Sequence, residues 1–334
     1  MGKNSTLEEI AVKAGVSKMT VSRVINHPEE VKPDTLEKIL NIMKEMKFQP
    51  KFVARVLAGS KPKTIGFVIH SNSDFIVSPF YGECIRAATE WMESQSYRHA
   101  MFNLIDRQSK SLFVDYANSS LIDGLILFEG FIDDDLLQTL RTNNIPAILV
   151  GERAPENADY FSISSDNYAG AQMAMEYLIS KDARKIAYIT GKGKKPSYIE
   201  RKAAYSDILA LNSIDNEMII ETINSIEGGI RAVNSLIDSS SDFDAIFCYS
   251  DLLALGVLKG LNANGIRVPE DVRVIGFDGL KFSKNFIPSL TTVSQNMKLM
   301  GQLAATTLLK VIDKNKSIKK DIVLPTTLVL RDSA

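Results

Sequence analysis

The chain has 334 residues, 45% of them hydrophobic and 24% charged, with a formal net charge of -1. That length exceeds what one core usually organises, so two or three folding units are expected, and no apolar run approaches the ~20 residues of a membrane span. The opening "MGKNSTLEEIAVKAG" lacks the apolar centre of a secretion signal, which makes the cytoplasm the expected compartment.

The near-neutral total hides an asymmetry. Residues 1–62 carry 11 Lys and Arg against 7 Asp and Glu, whereas the rest carries 28 against 33. A basic head on an acidic body points to a polyanion as the partner of the head. The two cysteines, Cys84 and Cys248, are far apart with no metal-type spacing and read as buried small hydrophobes. No metal or cofactor is expected.

Thr6 and Glu9 in "TLEE" have capping-box spacing. Leu7, Ile10, Ala11 and Ala14 then share one face, and Gly15 ends a helix over 7–14. Ser17 can cap a second short helix with Val21, Val24 and Ile25 turned inward, which leaves Lys18, Met19, Ser22 and Arg23 on the other face. Pro33 suits a first helical position, and Leu36, Ile39, Leu40 and Met43 give a third helix its buried stripe. Two short helices joined at "AGVS" and closed by a third make a helix-turn-helix. Its exposed face can read a major groove: Arg23 can fork onto guanine O6 and N7, Lys18 can donate to guanine or phosphate, and Met19 can pack on a thymine methyl.

"KFVARVLAGSKP" over 51–62 holds about two turns of helix-forming residues and then breaks at Gly59, Ser60 and Pro62. Such a segment is too short to persist alone as a helix. From residue 64 short apolar runs alternate with helical stretches. Strands are expected at "TIGFVIH", "AMFNL", "IDGLILF", "PAILV", "KIAYIT", "AIFCY" and "VRVIGF", with helices near 80–95, 108–120, 133–143, 167–181, 199–211, 228–238, 250–264 and 297–312. The alternation predicts parallel sheets covered by helices on both faces. A break near "ISSDNYAGA" divides the body into two α/β halves, with a ligand between them at the carboxyl ends of the strands.

The segment from "TLEEIAVKAGVSKMTVSRVIN" through "PKFVARVLAG" resembles the headpiece of the lactose/galactose repressor (LacI/GalR) family of bacterial transcription regulators, and "SSDNYAGAQMAMEYLISKDARKIAYITG", "YSDLLALGVLKGLNANGIRVPEDVRVIGFDGL" and "LPTTLVLRDS" extend the likeness over nearly the whole chain. The resemblance implies an all-α helix-turn-helix headpiece over 1–49 and a hinge helix and linker over 50–63. An α/β body of two doubly wound parallel-sheet subdomains of the periplasmic-binding-protein type follows over 64–334. Subdomain one would span about 64–163 plus 293–322, and subdomain two about 164–292 plus 323–334.

By the same resemblance Lys18, Met19 and Arg23 contact bases, while Thr6, Ser17, Thr20, Ser22 and Asn26 mostly hold the DNA backbone. Lys51, Arg55 and Leu57 contact DNA from the hinge helix, with Leu57 as an apolar wedge in the minor groove at a kinked step. The effector cleft would fall on His70, Phe80, Tyr81, Arg201, Ser250, Asp251, Asp278 and Gln295. These residue types suit a polyol: a carboxylate accepts from vicinal hydroxyls, a guanidinium donates, and an aromatic ring stacks on a sugar face. The sequence departs from the family pattern at Lys51, where Asn is usual, at Leu36, where a basic residue is usual, and at Gly151, where many relatives have a ligand-binding Asp.

The implied function is a repressor that binds a pseudo-palindromic operator as a homodimer and answers to a small effector, a sugar or sugar derivative. Its rivals are a regulator answering to a phosphorylated carrier protein and a free sugar-binding protein. No heptad repeat follows "LVLRDSA", so a dimer is expected rather than a tetramer. Catalysis is disfavoured, since His27, His70 and His99 lack metal spacing, and "GKGKKP" has Pro196 where a dinucleotide fingerprint needs its third glycine.

Overall fold

The computed structural model describes residues 6–26, 30–46, 48, 61–69, 78–119, 121–128, 134–151, 160–193, 195–314 and 319–334. Three helices form the head: α1 (Leu7–Ala14), α2 (Lys18–Asn26) and α3 (Pro33–Glu45). Thr6 Oγ1 accepts from the Glu9 amide while Glu9 Oε2 accepts from the Thr6 amide, so the capping box closes and fixes where α1 begins. Gly15 ends it at φ 68°. Ile10, Ala11, Ala14, Val21, Val24, Ile39 and Met43 form the core of the head.

Leu40, expected in the α3 stripe, is instead 50% exposed. The buried seam of α3 runs through Leu36, Ile39, Ile42, Met43 and Met46, and a residue one place beyond Ile39 is turned about 100° away from it.

Among the described residues the body contains two six-stranded sheets. The first runs β2 (Arg98–Asn103), β1 (Thr64–Ile69), β3 (Gly124–Phe128), β4 (Ala147–Val150), β5 (Phe161–Ser165) and β11 (Asp321–Leu324). The second runs β7 (Met218–Thr222), β6 (Ile186–Gly191), β8 (Ala245–Cys248), β9 (Arg273–Asp278), β10 (Thr291–Ser294) and β12 (Thr327–Val329). Both have the same winding, with the first strand of each half second from the edge, and among the described strands only β12 pairs antiparallel, against β10. β1, β3, β4, β6 and β8 are buried along their whole length, as parallel strands covered on both faces must be.

Helices α4 (Pro79–Ser94), α5 (Arg107–Ala117), α6 (Asp134–Thr142) and α11 (Met297–Ile312) belong to the first subdomain. Helices α7 (Asn167–Ser180), α8 (Pro196–Leu211), α9 (Ile226–Asp238) and α10 (Asp251–Ala263) belong to the second. Each fully buried Leu, Ile or Phe in these layers contributes about 1.5–3 kcal/mol of transfer free energy.

Five strands escape the sequence reading. β5, "FSISS", buries Ser162, Ser164 and Ser165 and so lacks the apolar run that marks an interior strand. β7, β10, β11 and β12 are short, or lie at an edge where a half-polar pattern suffices. The chain passes between subdomains at Asp166, at Gln295–Asn296 and at Pro325–Thr326. These crossings lie two to three residues later than the boundaries read from sequence, because β5, β10 and β11 each run on to complete their sheets.

Candidate functional site

The carboxyl ends of the strands in both sheets face one another across a cleft. Subdomain one supplies Ser78, Phe80 and Tyr81 at the start of α4 and Gly151 just after β4. Subdomain two supplies Ser197 at the start of α8, Arg201 one turn on, and Asn224, Tyr249 and Asp278 at the ends of β7, β8 and β9; Gln295 comes from a crossover. This is the crevice where doubly wound sheets hold ligands.

Arg201 is the centre of the subdomain-two wall. It is only 3% exposed. Its Nε and Nη2 donate to Asn167 Oδ1 at 3.0 and 2.8 Å, and Nη1 donates to the Tyr249 carbonyl. The guanidinium carbon lies 3.5 Å from the Phe277 ring centroid and 4.3 Å from that of Tyr249. Tyr249 is in turn edge-on to Tyr198 at 4.4 Å. Two carbonyl-type acceptors and two aromatic faces therefore orient the cation.

Asp278 receives a 2.8 Å hydrogen bond from Gln295 Nε2 and has φ 132°, a backbone region that favours glycine. Strain of this kind persists where surrounding structure enforces it, and it is concentrated at binding sites. Burial pushes the Asp278 carboxyl well above its usual range, and the nearby Asp251 carboxylate adds to the shift. Opposite, Phe80 and Tyr81 pack edge to face at 5.0 Å. Gly151 has φ 98°, and a Cβ there would come within 3.0 Å of Tyr81 Oη. Tyr81 thus fills the room a side chain at 151 would use.

In the head, Ser17 Oγ accepts from the Thr20 amide at 3.1 Å and makes a 2.9 Å hydroxyl pair with Thr20 Oγ1. That cap orients α2 so that Lys18, Met19 and Arg23 are exposed, Met19 by 71%. Ser22 is half-buried on the same helix. Lys18 Nζ lies 2.7 Å from Glu8 Oε1, and Arg23 Nε lies 3.6 Å from Glu30 Oε2.

Residues 6–51 match the model for bacterial regulatory proteins of the lacI family, and residues 175–334 match the periplasmic binding protein-like domain. The chain is 33% identical to the HTH-type transcriptional regulator RegA of Clostridium acetobutylicum, over 98% of this chain and 99% of the relative. It belongs to the LacI family. Among solved LacI-family structures, the Lac repressor dimer bound to operator and the anti-inducer ONPF superposes with a TM-score of 0.86 at 26% identity, covering 99% of both chains. The complex of the transcriptional regulator CelR with cellobiose superposes with a TM-score of 0.76 at 28% identity, covering 99% of this chain and 100% of the other. The chain's relatives are transcriptional regulators, and no described helix is long and apolar enough to cross a membrane.

Of the effector positions transferred from the LacI family, Phe80, Tyr81, Arg201, Asp278 and Gln295 meet in the cleft. Ser250 and Asp251 are not among the residues that line it. Ser250 Oγ caps α10 at the Leu253 amide and donates to Asn224 Oδ1. Asp251 is wholly buried behind the wall, accepting from the Leu280 amide at 2.7 Å and from Thr292 Oγ1. A residue that starts a helix directly after a strand can turn under the sheet, and the fit to β9 and β10 draws Asp251 there.

Ser78, Ser197, Asn224 and Tyr249 were missed, although each stands at a strand end or helix start facing the crevice. His70, Lys51, Arg55 and Leu57 lie outside the described residues, and so does the side chain of Asn26.

Proposed function

We propose that this LacI-family regulator is a repressor that binds a pseudo-palindromic operator as a homodimer and responds to a small carbohydrate effector in the interdomain cleft. The observation that carries this reading is the cleft itself, where Arg201 and Asp278 on one subdomain face Phe80 and Tyr81 on the other. Such a surface offers donors and acceptors for hydroxyls together with aromatic faces for a sugar ring. The exposed Lys18, Met19 and Arg23 support base readout by α2, and a dimer would set two such helices in successive major grooves. A ligand bridging the subdomains would favour one relative orientation, with a coupling to DNA of about 1–3 kcal/mol. Lys51, Arg55 and Leu57 in the hinge segment would carry that coupling to the minor groove.

In vitro selection of duplex DNA with the full chain, followed by footprinting with and without a sugar panel, tests the reading. A twofold-symmetric site whose occupancy changes with one sugar is expected. Arg23→Ala should cost about 1–3 kcal/mol and relax preference at one base pair per half-site. An asymmetric site, or unchanged preference in that variant, removes α2 from base readout.

A further inference from the structure

Arg201 is a buried cation whose hydrogen bonds and ring contacts among the described residues involve no carboxylate. A guanidinium carries five N–H groups. Three are spent on Asn167 Oδ1 and the Tyr249 carbonyl, which leaves one on each Nη for the cleft that Arg201 lines. Glu200 joins this network at one remove, since Asn167 Nδ2 donates to Glu200 Oε2 at 2.9 Å while Asn167 Oδ1 faces the arginine.

We infer that the sugar bound in this cleft carries an anionic group, a carboxylate or a phosphate, which sits on Arg201 beside the first turn of α8. The inference rests on the reading of the cleft as a sugar site. Helix α8 is 16 residues long and starts at Pro196 with no side-chain cap hydrogen bond, and its second residue, Ser197, lines the cleft. The positive end of its dipole is therefore turned toward the same space as the open edge of Arg201.

On the same wall as Arg201, Asp278 would repel an anion if it were ionised. Burial favours its neutral, proton-donating form, which an anionic oxygen can accept from. A buried cation with no carboxylate hydrogen-bonded to it among the described residues gains more from a charged acceptor than from a hydroxyl, because charge-assisted hydrogen bonds are about twice as strong as neutral ones.

Calorimetry on the full chain at pH 7 and fixed ionic strength, with matched ligands, tests the inference: glucose against glucuronate and glucose 6-phosphate, and galactose against galacturonate. One acidic member should bind about tenfold or more tighter than its neutral parent, and the carboxylate and phosphate arms then identify the group. Arg201→Gln should weaken binding of the acidic member further than that of its neutral parent, so that the preference is lost, and Arg201→Lys should retain part of it. The wild-type comparison stands even if a variant fails to fold. A neutral parent that binds as tightly as its acids overturns the inference and leaves the sugar reading intact. If no member of either series binds, both fall.

Discussion

Lys281 Nζ lies 3.0 Å from each carboxylate oxygen of Glu83, a residue 198 positions earlier and on the other subdomain. The ammonium holds the Glu83 carboxyl below its usual range. Beside it, Leu280 leaves the end of β9 and buries its side chain in the core of subdomain one. One segment thus spans the two halves with an exposed ion pair and a buried apolar anchor.

The two contacts should differ in weight and in salt dependence. Lys281 is largely exposed, so Lys281→Met should change stability by less than about 1 kcal/mol, and the difference should vanish in 1 M NaCl. Leu280→Ala should cost about 2–5 kcal/mol at any salt concentration. Urea unfolding of the three proteins at low and high salt measures both, and an ion-pair variant as damaged as Leu280→Ala would refute this ranking.

Glu8 and Glu30 hold the two basic side chains expected to reach DNA, Lys18 and Arg23. Each pair competes with the contact the cation would make to a base or phosphate. Glu8→Gln with Glu30→Gln should tighten DNA binding about two- to fivefold, since exposed pairs of this kind are weak, and should do so across sequences. Fluorescence anisotropy with operator and random duplexes reads the effect; unchanged affinity would mean the pairs impose no barrier.

Asp251 and Asp278 make stability depend on pH with a sign opposite to that of most carboxylates. Burial raises both, most directly by desolvation, so the folded chain holds protons that the unfolded chain releases once pH passes the ordinary carboxylate range. Their contribution is whole below that range and is lost as pH rises through the raised values. Asp278→Asn, which cannot titrate and tolerates positive φ, should therefore lose less stability than wild type between pH 5.5 and pH 8.5. Urea midpoints across that window check it, and parallel curves for the two proteins would contradict it.

Gly301 on α11 lies against the backbone of α4, where an added Cβ would be 2.1 Å from the Cys84 carbonyl oxygen. Neither helix backbone can yield locally, so Gly301→Ala should push α4 and α11 apart at a cost of about 1–3 kcal/mol. Because α4 begins with Phe80 and Tyr81, ligand affinity should fall along with the melting temperature. A variant with wild-type melting would show that the helices can slide.

The sequence alone determined the three-helix head, the alternating body and the family, because each rests on local chemistry. Thr6 and Glu9 close their box within one turn, Gly15 ends its helix, and β1, β3, β4, β6 and β8 are apolar runs that only a covered parallel sheet accommodates. Tertiary structure decided what depends on distant partners. Ser162, Ser164 and Ser165 make a strand only because β4 and β11 flank them, and Leu40 is exposed because the seam of α3 is set by α1 and α2. Asp251 and Arg201 are both buried polar residues of subdomain two in sequences that would suit a ligand site. Which of them lines the cleft is fixed by neighbours far along the chain: Leu280 and Thr292 draw Asp251 under the sheet, and Asn167 and Tyr249 hold Arg201 at the cleft. No local pattern encodes that choice, because both outcomes satisfy the same side-chain chemistry.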